Sequence, residues 1–334
     1  MRVSLLTTAF VSLFLAVASV GGRTPAADPN RVVIVVVGAP GTADYEQQFT
    51  TWANDWQQAC EEAGAAFVPV GLDEDTRVSD RETLERILRE RGGQPDTKLW
   101  LVLIGHGTFD GRTARFNLRG PDVSAADLAQ WLRPLEGPVA VINTASSSAP
   151  FLKELAAPGR VVVTATKSGF EQNFARFGGY LAESIVNPDA DLDKDGQVSL
   201  LEAFLKASHA VEEFYKSAGR LATEHALLDD NGDGLGTPAD WFRGIRPTRK
   251  PADGKSLDGY RAHQFHLLRS PLEEAMPPTL RARRDELELQ VIQLRERKES
   301  LPEEEYLTRL EALLTEIARI YEQVETPVAS GSAP

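Results

Sequence analysis

The chain has 334 residues, with 49 acidic against 36 basic side chains and a formal net charge of -13. This surplus of acids argues against binding to nucleic acid, because neutralising phosphates requires clustered lysine and arginine. The length allows one large α/β domain with appended units, since single domains usually contain about 100 to 200 residues. Cys60 is the only cysteine, which excludes an internal disulfide bond.

The N-terminus has the pattern of a Sec-type signal peptide over residues 1–22. Arg2 is followed by an apolar run from Leu5 to Val20, with small residues at Ala16 and Ala18 for cleavage. An uncleaved anchor helix is less favoured, because the run is shorter than the roughly 20 residues that a membrane span needs. No later segment is long and apolar enough to span a membrane. We therefore expect a secreted or periplasmic protein with no integral membrane segment after cleavage.

Residues 31–186 alternate apolar, β-branched runs with segments of helical periodicity. The predicted buried strands are 31–37, 66–70, 98–104, 139–143 and 160–166. The predicted helices between them are 45–63, 79–91, 124–132 and 150–155. Continuous apolar strands that alternate with helices predict an α/β fold, in which a mostly parallel sheet is flanked by helices.

An acidic stretch from 191 to 202 has the residue spacing of a twelve-residue EF-hand calcium loop. Gly196 permits the sharp turn at position 6, and Val198 is the apolar residue that contacts the partner loop in paired hands. The predicted ligands are the side chains of Asp191, Asp193, Asp195, Ser199 and Glu202 and the carbonyl of Gln197. We expect Ca²⁺ as the cofactor, because hard Ca²⁺ prefers six to eight oxygen ligands. The alternative is a polar loop that holds no ion.

A second, weaker match begins 38 residues after the first, at Asp229. The predicted ligands are Asp229, Asn231, Asp233, Thr237, Asp240 and the carbonyl of Leu235. Asp240 replaces the usual glutamate, and Pro238 disfavours a regular helix after the loop. The two loops and the predicted helix between them, from Leu200 to about Ala218, would form an EF-hand pair over residues 187–245. The alternative is a loop of Asx turns without an ion.

Two strand ends carry the residues that most suggest catalysis. His106 lies between Gly105 and Gly107 after one strand, and Ser146 follows the next predicted strand. Ligand and catalytic residues in parallel sheets collect at these carboxyl ends. The pattern resembles the caspase-fold cysteine peptidases, particularly the legumain-like branch, in which a His-Gly follows one strand and Ala-Cys-x-Ser-Gly the next, about forty residues later. Here the interval from His106 to Ser146 is 40 residues.

The resemblance covers residues 31–186 and implies a caspase-like fold with His106 as the general base. Ser146 stands at the position of the cysteine nucleophile, and Ala149 replaces the family's glycine. A serine hydroxyl needs a base that is oriented by an acid, and only Asp110 lies near in sequence. Three alternatives stay open: a pseudoenzyme that binds an unidentified protein or peptide, which we favour, a peptide hydrolase with a Ser146/His106 dyad, and a purely structural turn.

The C-terminal part is predicted to be an irregular linker over 246–278, a helical hairpin or short coiled coil over 279–325, and a disordered tail over 326–334. His263 and His266 in the linker have weak zinc spacing, and a core or surface pair is favoured. Apolar residues in the hairpin recur at intervals of three and four. Packing of the hairpin on its own domain and homodimer formation through these helices are both open.

Overall fold

The computed structural model describes residues 28–73, 78–95 and 97–325. The predicted signal peptide and C-terminal tail lie outside these residues. A seven-stranded sheet forms the centre of the molecule, in the order β10-β9-β8-β7-β3-β1-β2. The strands are β1 Asp28–Val37, β2 Ala65–Val70, β3 Lys98–Ile104, β4 Gly107–Phe109, β5 Ala114–Phe116, β6 Val123–Ser124, β7 Val139–Asn143, β8 Arg160–Thr164, β9 Leu227–Asp229, β10 Thr237–Pro238, β11 Phe242–Arg243 and β12 Arg246–Pro247.

Five neighbouring strands of the central sheet, β2, β1, β3, β7 and β8, are parallel. They correspond to the five predicted strands, so the prediction of a mostly parallel sheet is confirmed. The edge formed by β9 and β10 is antiparallel. The remaining short strands form a three-stranded sheet, β4-β5-β6, and a two-stranded sheet, β11-β12.

Ten α-helices occur in the described part of the chain. They are α1 Ala43–Ala63, α2 Asp80–Glu90, α3 Ala125–Leu132, α4 Ala149–Leu155, α5 Phe177–Ile185, α6 Leu200–Ser217, α7 Tyr260–His263, α8 Pro271–Ala275, α9 Pro278–Glu296 and α10 Glu303–Glu325. No helix in the described ranges has the length and apolar composition needed to cross a membrane.

The apolar strands are buried on both faces, because helices cover each side of the sheet. Along β1, Val33 and Val35 pack with Trp56 of α1, whereas Ile34 packs with Leu84 of α2 on the other face. Alternate side chains of a strand point to opposite faces, which explains why residues 32–37 of β1 are all apolar. The predicted helix start at Ser79 is confirmed, since Ser79 and Glu82 form a reciprocal capping box.

Segment 246–278, which was predicted to be an irregular linker, contains the short helices α7 and α8. Three of its residues, Ala262, Phe265 and Leu267, are buried in the cluster that also contains strand residues of the central sheet. Its backbone contacts the start of α6, where Leu200 N–H donates to the Phe265 carbonyl at 2.8 Å. This segment therefore packs against the sheet domain as part of one core.

The helices α9 and α10 contact each other and α8. Arg283 of α9 forms an ion pair with Glu316 of α10 at 2.8 Å. Arg284 of α9 is paired with Glu273 of α8 and also donates to the Tyr321 hydroxyl at 3.0 Å. The two helices thus form a hairpin that packs on α8. Helix α9 also contacts the preceding segment, where Gln264 Nε2 donates to the Asp285 carbonyl at 2.9 Å and Leu257 N–H donates to Glu296 at 3.1 Å.

Candidate metal-binding loops and the strand-end site

The first predicted calcium loop, residues 191–202, lies between α5 and α6. Its backbone folds around the Asp191 carboxylate, which accepts from Lys194 N–H at 2.6 Å and from Gly196 N–H at 3.2 Å. Lys194 and Gly196 have left-handed backbone conformations, with φ of 65° and 87°. Glycine adopts this conformation without strain, so Gly196 is suited to the turn that brings the acidic positions together.

Three carboxylates of this loop converge. One oxygen each from Asp191, Asp193 and Asp195 lies within 4.8 Å of the other two. Calcium binds oxygen at 2.3–2.6 Å, so two ligands on opposite sides of one ion lie about 4.8 Å apart. The separation and the chemistry of these side chains therefore match the requirements of a single Ca²⁺ ion.

Glu202, the last predicted ligand, is fully buried at the start of α6. Its carboxylate accepts from Leu192 N–H at 2.8 Å and from Ser199 N–H at 2.9 Å, which holds it against the loop. The Ser199 hydroxyl also donates to this carboxylate, at 2.8 Å. The side chain of Gln197, whose carbonyl is a predicted ligand, bridges Asp195 and Ser270 N–H.

The second predicted loop, residues 229–240, has a similar local hydrogen-bond pattern. The Asp229 carboxylate accepts from Gly232 and Gly234 N–H, both at 2.9 Å. The side-chain oxygen of Asn231 accepts from Asp233 N–H, and Asp233 accepts from Leu235 N–H, each at 2.9 Å. Burial raises the pKa of Asp229 to about 6.

The surroundings of the second loop differ from an EF-hand. Asp229 ends strand β9, and Thr237 with Pro238 forms β10, so strands rather than helices flank the loop. Asp240 follows in a 3₁₀ turn and is exposed. Val198, which was expected to contact this loop, is instead buried in the core, and the next residue, Ser199, forms a backbone bridge with His266. The second loop is therefore not a helix–loop–helix unit.

Asp258 is a buried acid beside the second loop that was not predicted from the sequence. It accepts from Asp230 and Asn231 N–H at 3.1 and 3.2 Å and from the Thr237 hydroxyl at 2.6 Å. Burial, followed by the nearby Asp230 charge, raises the pKa of Asp258 to about 8. No sequence pattern could have indicated it, because its partners lie 21 to 28 residues away.

At the strand ends, the backbones of the two predicted catalytic segments touch. The Ser146 hydroxyl donates to the Gly107 carbonyl at 3.1 Å, and Gly107 N–H approaches the same hydroxyl oxygen at 3.3 Å. A Cβ atom at position 107 would lie 2.2 Å from the Ser146 carbonyl oxygen, so only glycine can occupy this position without displacement. The Ser146 hydroxyl is thus hydrogen-bonded to the backbone that follows the neighbouring strand.

The His106 side chain has other partners. Its Nε2 atom lies 3.2 Å from the Pro40 carbonyl oxygen, and its ring packs against Tyr45 and Phe49, with centroids 4.7 and 5.2 Å away. Burial lowers the pKa of His106. Within the described residues, no hydrogen bond joins His106 to Ser146. The nearest acid in sequence, Asp110, binds its own turn and Arg115 instead.

A second histidine near the strand ends was not identified from the sequence. His225 Nδ1 lies 2.6 Å from a carboxylate oxygen of Glu171, whose backbone carbonyl accepts from Ser147 N–H at 2.8 Å. His225 lines a cavity of about 690 Å³ beyond the end of β8, together with Lys167, Tyr215 and Trp241. The two members of this pair are 54 positions apart in sequence, which explains why no local motif marks them.

Comparison with known proteins finds similarity only in structure. No protein family model matches the chain, and no curated protein matches it in sequence. Caspase-1 from Spodoptera frugiperda aligns with a TM-score of 0.41 and 8% identity, over 62% of this chain and 88% of that chain. The Drosophila initiator caspase Dronc aligns with a TM-score of 0.37 and 12% identity, over 70% of this chain and 95% of that chain. This similarity is distant and carries no inference about activity.

Proposed function

We propose that this protein is an exported calcium-binding protein whose caspase-like α/β domain binds a protein or peptide and does not cleave it. The calcium assignment depends on one observation, the convergence of the Asp191, Asp193 and Asp195 carboxylates within 4.8 Å of one another. Two like charges about 4 Å apart repel by about 1 kcal/mol in water and by about 4 kcal/mol near a protein surface. A divalent cation between these carboxylates offsets the repulsion.

The connections of the first loop support a structural role for the ion. The loop joins α5 to α6, and its Gln197 side chain accepts from Ser270 N–H at 3.2 Å, next to α8. An ion at this position would therefore stabilise the junction between the sheet domain and the C-terminal helices. Extracellular sites with dissociation constants of about 10⁻⁴ to 10⁻³ M suffice for such a role, because an exported protein meets abundant calcium.

Isothermal titration calorimetry with Ca²⁺ tests the assignment on the mature protein after chelation. We expect heat of binding from the native protein and at least about a tenfold loss of affinity at one site in Asp191→Asn, since a charged ligand is lost. Asp189→Asn is the matched control, because Asp189 is exposed and lies two residues before the loop. No heat in the native protein, or equal affinity in Asp191→Asn, would overturn the assignment.

The geometry of the strand ends supports binding without catalysis. Base catalysis requires the base to reach the nucleophile's proton at about 2.6 to 3.2 Å or through one water. Here the Ser146 hydroxyl donates to the Gly107 carbonyl, and His106 Nε2 faces the Pro40 carbonyl. The peptidase alternative would require both side chains to change partners.

The cavity beyond β8 is the candidate ligand site. Its volume of about 690 Å³ lies in the range of roughly 300 to 1,000 Å³ that is usual for ligand pockets. Aromatic side chains of Phe177, Tyr215 and Trp241 line it together with charged groups such as Lys167 and Arg220. Such a mixture suits an amphipathic ligand such as a peptide segment.

A further inference from the structure

The His263 side chain contacts the first predicted calcium loop, although it lies far from that loop in sequence. Its Nε2 atom is 2.9 Å from a carboxylate oxygen of Asp193. The ligand atoms of Asp193, Glu202 and His263 all lie within 4.8 Å of one another. Asp193 therefore belongs both to this group and to the group formed with Asp191 and Asp195.

The element that carries His263 is fixed by buried hydrogen bonds. Helix α7 ends at His263, and the buried Asp230 carboxylate accepts from Gly259 and Ala262 N–H at 2.9 and 2.8 Å. Asp230 follows Asp229 of the second loop, so the second loop positions the helix that brings His263 to the first. This connection links the two loops in place of the contact expected for an EF-hand pair.

The distances suit shared coordination. Ligand atoms at about 2.1 to 2.4 Å from one ion, at right angles to each other, lie about 3.0 to 3.4 Å apart. The 2.9 Å separation of His263 Nε2 and the Asp193 oxygen is close to this value. Glu202, fully buried and held by the loop backbone, offers a third ligand oxygen within 4.8 Å of these two atoms.

We propose that His263 is a nitrogen ligand of the ion in the first loop, so that this loop takes a divalent transition-metal ion as well as Ca²⁺. The proposal rests on the proposed function, because it uses the same loop as the metal site. Imidazole nitrogen is a good ligand for first-row transition ions, whereas Ca²⁺ prefers oxygen. His263 is therefore expected to strengthen the binding of ions such as Co²⁺ and Mn²⁺ and to contribute little to Ca²⁺ binding.

Two substitutions separate coordination from a hydrogen bond to Asp193. His263→Ala removes both the nitrogen ligand and the hydrogen bond, whereas His263→Gln keeps a side-chain amide that can donate to Asp193. His209→Ala is the control, because His209 is exposed on α6. Calorimetry would compare the Co²⁺ and Ca²⁺ affinities of the chelated full chain, and pulsed EPR of the Mn²⁺-loaded protein would detect a coupled histidine nitrogen.

We expect Co²⁺ affinity to fall at least about tenfold in both His263 variants, while Ca²⁺ affinity changes less than about threefold and His209→Ala behaves as the native protein. We also expect a nitrogen coupling to Mn²⁺ that disappears in both variants. Two results would overturn this proposal and leave the proposed function intact. The first is Ca²⁺ binding together with an unchanged Co²⁺ affinity in the His263 variants. The second is an equal loss of affinity for both ions in His263→Ala that His263→Gln restores. Absence of both Ca²⁺ and Co²⁺ binding would overturn both.

Discussion

Ser147 lies in the turn after β7, and both its backbone conformation and its side chain lower the free energy of unfolding. Its φ is 55°, in the left-handed region, and its hydroxyl is buried with no hydrogen-bond partner among the described residues. A left-handed conformation costs a non-glycine residue about 1 to 2 kcal/mol. A buried unpaired hydroxyl costs about 1 to 3 kcal/mol more.

Replacing Ser147 with glycine should therefore stabilise the protein. Glycine removes the backbone strain and the unpaired hydroxyl, but it loses about 0.5 to 1 kcal/mol through greater freedom of the unfolded chain. A small void subtracts up to about 1 kcal/mol. These terms sum to a net gain of about 2 kcal/mol, within a range of about 0 to 4.5 kcal/mol. Because the entropy of unfolding is about 2.1 cal/mol/K per residue, a gain of about 2 kcal/mol raises the melting temperature of a chain of this size by about 3 °C.

Urea denaturation in excess calcium measures this change in the free energy of unfolding. Two further variants serve as comparisons. Ser147→Ala keeps the left-handed strain and should give a smaller gain. Ser148→Ala should destabilise by about 1 to 3 kcal/mol, because the Ser148 hydroxyl accepts from the buried Thr166 N–H. A loss of about 1 kcal/mol or more in Ser147→Gly would show instead that the hydroxyl makes a stabilising contact.

Three further predictions concern buried or strand-end groups. Glu224→Ala should lose about 3 kcal/mol in urea denaturation, because two backbone amides at the start of α5 lose their acceptor, whereas Glu224→Gln should lose less than about 1. Burial raises the pKa of Cys60 to about 12, so native Cys60 should resist maleimide at pH 8. Because unfolding lets this thiol ionise near its ordinary pKa of about 8.5, stability should fall as pH rises from about 9 towards 12. Rapid native labelling would contradict this burial. We expect no peptide hydrolysis that depends on His106, either from the native protein or from Ser146→Cys. Hydrolysis in a fluorogenic assay that is abolished by His106→Ala would contradict the separation of these side chains.

The strands at the centre of the sheet could be predicted from sequence because their environment is simple. A parallel strand covered on both faces is apolar at successive positions. The central parts of β1, β3, β7 and β8 have this composition, over residues 32–37, 99–104, 139–142 and 161–163. Helix starts with a capping box, such as Ser79 with Glu82, are equally local. The convergence of Asp191, Asp193 and Asp195 also follows from spacing within a single turn.

Other features depend on contacts between distant segments. Strand β9 has only three residues, and its extended structure depends on pairing with β8. His263 contacts Asp193 across 70 residues, and no pattern in the sequence indicates this contact. The positions of His106 and Ser146 after successive predicted strands placed them at the carboxyl ends of the sheet. The side-chain partners of His106 could not be predicted, because they include Tyr45 and Phe49 of α1.

A crystal structure of the protein grown in millimolar calcium would show whether the first loop binds the ion, with the anomalous signal of calcium as the readout. We expect a calcium peak 2.3–2.6 Å from oxygens of Asp191, Asp193, Asp195 and Glu202. A well-ordered loop that holds only water, with no anomalous peak between these carboxylates, would contradict calcium binding at this loop.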